Sequence, residues 1–388
     1  MADTQVAIVG GGPAGTLLAH LLESHGIESV VLERRSRDYV LGRIRAGVLE
    51  QGTVDLLAAH GLGDRIDREG LRHTGVNLAA GGRVIRIDLA ARTGKAVTIY
   101  GQTQVQTDLY EARDAAGGAM VFEAEDVALH DLESDRPRLT YSVGCESTTF
   151  GADFVAGCDG SHGVCSSYLP AVRRYATDYP FGWLGILAAT PPVCDELIYA
   201  NHPNGFALCS MRSRQLSRYY LQCPMDTDLE EWPDDRFWDE LRTRLPATVG
   251  DNLITGPSIE RSITPLHSLV SEPMQVGRLH LAGDAAHVVP PTGAKGLNLA
   301  VSDVHYLSRA LAAYYRDGST GLLNAYSRTA LSRVWNAVRF SWWMTQLMHR
   351  FPGDGDFGLR MQQTELDYLA TSRAAQTAMA ENYVGLPL

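Results

Sequence analysis

The sequence predicts an α/β fold: a parallel sheet with flanking helices, an inserted β-rich segment and a helical C-terminal region. Three observations predict it. A glycine-rich turn joins a short apolar strand to an amphipathic helix at the start of the chain. Two later strand-like runs end in turns that carry Asp159 and Asp284. Between them, residues 177–266 are rich in strand-like segments. The 388 residues, 45% apolar and 20% charged, suffice for roughly two or three structural units with sizeable cores. With 34 basic and 45 acidic residues the net charge is −11, which repels polyphosphate at long range and argues against a nucleic-acid binder. The longest apolar stretches, such as Phe181–Ala189, fall short of the ~20 residues that a bilayer span needs. Asp3 leads directly into a strand, without a basic segment or cleavage site, so a cytoplasmic protein is expected. The six cysteines form no Cys-x-x-Cys pair and no cluster with histidine; reduced, mostly buried thiols and no metal site are expected.

Val6–Val9 is a continuous apolar run, as a buried parallel strand requires. It feeds into Gly10-Gly11-Gly12-Pro13-Ala14-Gly15, a G-x-G-x-x-G pattern. Leu17, Leu18, Leu21 and Leu22 then recur at helical spacing towards a stop at Gly26. A second strand, Ser29–Leu32, ends on Glu33. Gly10 permits the tight turn, Gly12 lets backbone N–H groups approach a pyrophosphate, and Gly15 lets helix and strand pack closely. The helix N-terminus adds partial positive charge, and Glu33 is placed to accept from a ribose diol. The pattern indicates a dinucleotide without distinguishing FAD from NAD(P).

Arg34, Arg35, Arg37, Arg43 and Arg45 put five arginines within a dozen residues of an acidic protein. They read as a solvated loop or as an anion site for a flavin pyrophosphate or a second nucleotide, and the reversal of global charge favours the anion site. Phe154–Gly160 reads as a strand entering a glycine-flanked turn with Asp159. Arg278–Asp284 repeats that grammar, followed by Pro290-Pro291 and a helix whose apolar face begins at Leu297. Asp284 therefore sits at the C-terminal edge of a strand, where ligands of α/β sheets bind. Phe206–Arg212 and Ser217–Gln222 read as a β-hairpin. Ser210 and Arg212, two apart, share a face, and Tyr220 lies on the partner strand. That set is either a carboxylate cradle or an ordinary half-exposed hairpin.

The three dinucleotide segments together resemble the FAD-dependent aromatic hydroxylases, the class A flavoprotein monooxygenases. Val40–Gly52, Tyr100–Thr103, Tyr179–Trp183, Leu197–Pro203, Phe340–Thr345 and Glu381–Pro387 extend the resemblance over nearly the whole chain, towards the members that act on 4-hydroxybenzoate. The resemblance implies a Rossmann-like FAD-binding domain (1–72, 98–176 and 267–347), a substrate-binding domain (73–97 and 177–266) and a helical C-terminal region (348–388). It implies noncovalent FAD held by Gly10, Gly12, Gly15, Glu33, Arg45, Gln102, Asp159, Asp284 and the helix start Gly296-Leu297-Asn298. It further implies conversion of 4-hydroxybenzoate to 3,4-dihydroxybenzoate with NAD(P)H and O₂, in a homodimer. Ser210, Arg212 and Tyr220 would clamp the carboxylate. Tyr199, backed by Tyr383 and by the Pro291 carbonyl, would face the phenol, and His73 would relay its proton. Arg218 matches a residue tied to movement of the flavin. Arg34, Arg35, Arg37, Tyr39, Arg43, His162 and His267 would bind NADPH, with NADH also accepted. Ser166 and His267 stand where the family has arginines, which weakens the reductant site. The competing readings are a flavoenzyme for another aromatic acid, a flavin dehydrogenase that does not activate O₂, and a non-catalytic nucleotide sensor.

Overall fold

The computed structural model of the chain describes residues 3–43, 47–169 and 171–388. Val6, Ala7 and Ile8 are fully buried because Thr4–Val9 lies inside a parallel sheet, between Glu146–Gly157 and Ser29–Leu32. Leu279–Leu281 extends that sheet beyond Glu146–Gly157, and Ala119–Val121 extends it beyond Ser29–Leu32. All these pairings are parallel, so the turns after Val9, Leu32, Gly157 and Leu281 emerge along one edge.

Helix Pro13–Glu23 starts directly after Gly12, with proline where an N–H would have no helical partner. It packs against helices Gln102–Ala115 and Gly296–Asp317. The helix stops at Gly26 as the sequence reading expects: the Gly26 N–H donates to the Glu23 carbonyl at 2.9 Å and the Ile27 N–H to the Leu22 carbonyl at 3.0 Å, the paired bonds of a C′ glycine. Ser24 Oγ donates to the Leu21 carbonyl at 2.7 Å, and the chain reverses through Gly26, whose φ is 69°.

A second sheet runs in the order His287–Val288, Ser258–Glu272, Arg173–Ala188, Leu216–Cys223, Ala207–Ser213, Ile198–Asn201, Gly75–Ala80, Arg83–Asp88. The hairpin Ala207–Ser213 with Leu216–Cys223 is antiparallel, whereas Ile198–Asn201 joins Gly75–Ala80 in parallel. A small third sheet of Val48–Leu49, Val97–Ile99 and Leu71–His73 carries His73. Helices Gly321–Met348, Gly355–Thr371 and Arg373–Val384 close over the second sheet. Phe340, Met344, Met348 and Tyr383 from them share one apolar core with Phe181, Trp183, Tyr199 and Phe206 from the sheet. Among the described residues no helix is long and apolar enough to cross a membrane.

Candidate active site

A cleft of about 830 Å³ opens along the shared edge of the first sheet. Gly10 has φ 108°, and a Cβ there would stand 2.3 Å from the Cys158 carbonyl oxygen. A Cβ on Gly15 would stand 1.9 Å from the Gly10 carbonyl oxygen, so helix and turn touch without room for a side chain. At Gly12 a Cβ would meet nothing within 4 Å, because this residue borders the open cleft. Glu33 Oε2 accepts from the Gly11 N–H and Oε1 from the Arg35 N–H, both at 2.8 Å. Each carboxylate oxygen keeps a further lone pair for a diol.

Asp159 Oδ2 accepts from the Cys165 N–H at 2.9 Å, while its buried Oδ1 has no hydrogen-bond partner among the described residues. Burial pushes its pKa above the usual carboxylate value. Asp284 lies on the turn Gly283–Ala285, whose first N–H donates to Asp303 Oδ2 at 2.8 Å. Gln102, Gly296 and Leu297 also line the cleft. An extended cleft with a side-chain-free turn, a ribose-ready carboxylate, an unpartnered acid oxygen and two helix starts fits FAD.

Two expected residues, Arg37 and His267, stand apart from that set, and Asn298 belongs to it only through its place at the helix start. Asn298 does not turn its side chain to the cleft: its Oδ1 accepts from the Glu50 N–H (2.9 Å) and Thr53 Oγ1 (2.8 Å), and its Nδ2 donates to the Val48 and Ala294 carbonyls. Arg37 pairs with Asp114 at 2.6 Å and lies over the Tyr110 ring, so its charge is already committed. His267 sits opposite Asp178 in the second sheet and is not part of the cleft wall. Arg45 lies outside the described residues. Arg34, Arg35, Tyr39, Arg43 and His162 do line the cleft, with the Arg35 and Arg43 guanidinium groups 5.2 and 5.8 Å from the Tyr39 ring centre.

On the hairpin of the second sheet, Arg212 has no acid partner among the described residues. Arg212 Nη1 reaches Ser210 Oγ at 3.4 Å and the Met211 carbonyl at 3.1 Å, while its buried Nε has no partner among the described residues. Burial pushes the Arg212 pKa down, and the neighbouring Tyr220 opposes that shift. Ser210 Oγ donates to the Arg218 carbonyl at 2.9 Å. Arg218 differs in having an acid partner, Glu260 at 2.9 Å, with Ser262 Oγ at 3.0 Å and its guanidinium 5.2 Å from the Tyr220 ring centre, although its Nε too has no partner among the described residues. The Tyr199 and Tyr383 hydroxyls meet at 3.0 Å, and burial pushes the Tyr199 pKa up to about 12. His73 is buried, neither ring nitrogen has a partner among the described residues, and burial pushes its pKa below 6.5. No direct bond joins it to Tyr383. The Pro291 carbonyl accepts from the Ala294 N–H at 2.9 Å and keeps a second lone pair.

Sequence reasoning missed the buried Lys295, whose Nζ donates to Glu50 Oε1 at 2.6 Å and to the Tyr383 carbonyl at 3.1 Å. Its position one residue before helix Gly296–Asp317 was the available signal. Trp183 and His349, joined at 2.8 Å, gave none.

The profile of a family described as an FAD binding domain matches residues 3–341. The p-hydroxybenzoate hydroxylase of Acinetobacter baylyi is 53% identical over 387 residues, covering 99% of this chain and 96% of that one. A 3-(3-hydroxy-phenyl)propionate/3-hydroxycinnamic acid hydroxylase of Mycolicibacterium gilvum is 27% identical over 80% of this chain and 54% of its own length. The crystal structure of a p-nitrophenol 4-monooxygenase from Pseudomonas putida superposes with a TM-score of 0.85 over 100% of both chains at 20% identity, which speaks for the fold alone. With the flavin cleft, the profile and the 53% identical relative in agreement, the chain belongs to the FAD-dependent aromatic hydroxylases.

Proposed function

We propose that this hydroxylase converts 4-hydroxybenzoate to 3,4-dihydroxybenzoate, consuming NAD(P)H and O₂. One observation carries the reading: Arg212, without an acid partner among the described residues, neighbours Tyr220, which packs against the same apolar core as the tyrosine pair Tyr199–Tyr383, whose hydroxyls are 3.0 Å apart. A para-hydroxy acid has a carboxylate for Arg212 and a phenol for the tyrosine pair. The name of the 53% identical relative supports the same substrate.

When bound, FAD supplies electron transfer from NAD(P)H and activation of O₂. The chain supplies the rest. Arg212 takes the carboxylate, in a fork geometry that matches two oxygens, with Ser210 and Tyr220 beside it. Tyr199 hydrogen-bonds the phenol and passes its proton towards Tyr383, and the resulting phenolate activates the ring carbon ortho to it. The Pro291 carbonyl faces the same oxygen. His73, kept neutral by burial, is the proton acceptor beyond the pair. Trp183 and Phe206, both buried, exclude water from the reacting ring.

Gly12, Glu33, Gln102, Asp159, Asp284 and the start of helix Gly296–Asp317 hold FAD in this reading, and Arg34, Arg35, Tyr39, Arg43 and His162 receive the phosphates of NADPH. NADH is accepted too, since Arg37 and His267 do not join that set. Residues 1–72, 98–176 and 267–347 act as the FAD-binding unit, and 73–97 with 177–266 as the substrate-binding unit. The protein works in the cytoplasm as a homodimer, for which the exposed Trp342, Phe357, Met361 and Tyr368 on the last helices offer a surface. The test is product identification after incubation with FAD, NADPH and 4-hydroxybenzoate. The reading requires 3,4-dihydroxybenzoate; its absence, with another phenolic acid hydroxylated instead, reassigns the substrate.

A further inference from the structure

A buried polar contact that plays no part in the chemistry above lies between the two ends of the substrate region. Trp183 Nε1 donates to His349 Nε2 at 2.8 Å, and His349 Nδ1 lies 3.0 Å from the Thr345 carbonyl. A carbonyl only accepts, so Nδ1 carries the ring proton and the tautomer is fixed from both sides. Burial pushes the His349 pKa down to about 3, which keeps the ring neutral. Phe181 stacks on it at 4.7 Å with an interplanar angle of 6°, and Phe206 at 4.2 Å.

Trp183 also touches Tyr220, 5.0 Å away at the carboxylate clamp, and Phe206 at 5.1 Å; Phe206 touches Tyr199 at 6.2 Å. A continuous aromatic wall therefore runs from the clamp to the phenol pair, with its middle pinned by a hydrogen bond. Thr345 Oγ1 meets Thr292 Oγ1 at 3.0 Å, so the helix that pins the wall also holds the Pro291–Gly293 turn.

We propose that His349 is a positioning residue that fixes the spacing between carboxylate clamp and phenol pair, and so restricts the substrate to acids whose carboxyl sits directly on the ring. This rests on the 4-hydroxybenzoate reading. Apolar packing alone lets an indole slide or change rotamer. Here displacement strands a buried N–H and a buried ring nitrogen without partners, a cost that packing does not impose. An acid longer by one methylene has to push Trp183 aside and break that bond.

The test titrates the FAD-loaded enzyme with 4-hydroxybenzoate and with 4-hydroxyphenylacetate, reading Kd from flavin absorbance. Wild type should prefer the shorter acid. In His349→Leu the preference should fall by about tenfold, the scale of one methylene's discrimination, chiefly through tighter binding of 4-hydroxyphenylacetate. His349→Gln, whose amide can accept from the indole and donate to Thr345, should recover it. Trp183→Phe should lose it as His349→Leu does, and decides the matter if the leucine variant does not fold. An unchanged preference in Trp183→Phe or in folded His349→Leu, or a glutamine variant no better than leucine, overturns the proposal. Failure of the wild-type holoenzyme to bind 4-hydroxybenzoate overturns the substrate reading instead.

Discussion

In the cofactor cleft, Gly10, Gly12 and Gly15 matter for the side chains they lack; in the substrate region, Arg212, Tyr199 and Tyr383 matter for the side chains they carry. The cleft is assembled largely from backbone at one sheet edge, and its turn and its ribose carboxylate come from a single βαβ unit. The substrate region joins side chains from elements far apart, the two tyrosines being 184 residues distant in sequence. A backbone site tolerates a variable surrounding sequence but no added atom. A side-chain site tolerates backbone adjustment but no lost group.

The largest expected effect is that of Arg212→Ala. Removing the guanidinium should weaken 4-hydroxybenzoate binding by ~2–5 kcal/mol and leave FAD affinity intact, both read from flavin spectra. Parallel loss of both affinities would break the division between the two regions. Tyr199→Phe should come next. It keeps the ring and the carboxylate clamp, so substrate binds, yet the phenol loses its proton acceptor. Formation of 3,4-dihydroxybenzoate should drop by ~100-fold while NADPH oxidation continues and yields H₂O₂. Full coupling in this variant would assign the proton step elsewhere.

The glycines sharpen the contrast within the cleft. Gly15→Ala forces a methyl against the Gly10 carbonyl and should cost ~1–3 kcal/mol of stability in denaturant unfolding. Gly12→Ala meets nothing in the protein and should leave unfolding unchanged while lowering FAD affinity. Equal effects of the two on stability would show that Gly12 serves the fold rather than the ligand.

A further effect spans both regions. His280, in a strand of the first sheet, has its pKa pushed by burial down to about 4, and His349, in the substrate wall, down to about 3. Unfolded histidine titrates near 6.5, so below that pH the unfolded chain binds more protons than the folded one. The contribution of these two rings is therefore full above pH 6.5 and falls on acidification, by about 1.4 kcal/mol per pH unit for each ring until its folded pKa is reached. Thermal midpoints between pH 7.5 and 5 should follow this, with a shallower slope in His349→Gln. A flat profile would contradict the buried neutral rings.

The same contrast explains what could be read in advance. The turn Gly10–Gly15, Glu33 and the strand edge at Asp284 were legible because each depends on neighbours close in sequence. The face shared by Ser210 and Arg212 followed from strand period. The side-chain partners of Arg37 and Asn298 were not legible for the opposite reason: Asp114 pairs with the first, while Glu50 and Thr53 bond the second across a separation no local pattern reports. Tyr199 with Tyr383 was accessible only by resemblance to a family. The Trp183–His349 bond, 166 residues apart, had no signal at all, since one indole and one imidazole in apolar surroundings look like any core.

The most direct test of the account is hydroxylation of 4-hydroxybenzoate under ¹⁸O₂ by the FAD-loaded enzyme with NADPH. The account predicts 3,4-dihydroxybenzoate with a single labelled oxygen, at the new hydroxyl ortho to the original phenol. Unlabelled product, or oxidation of NADPH with no hydroxylated acid, would contradict it.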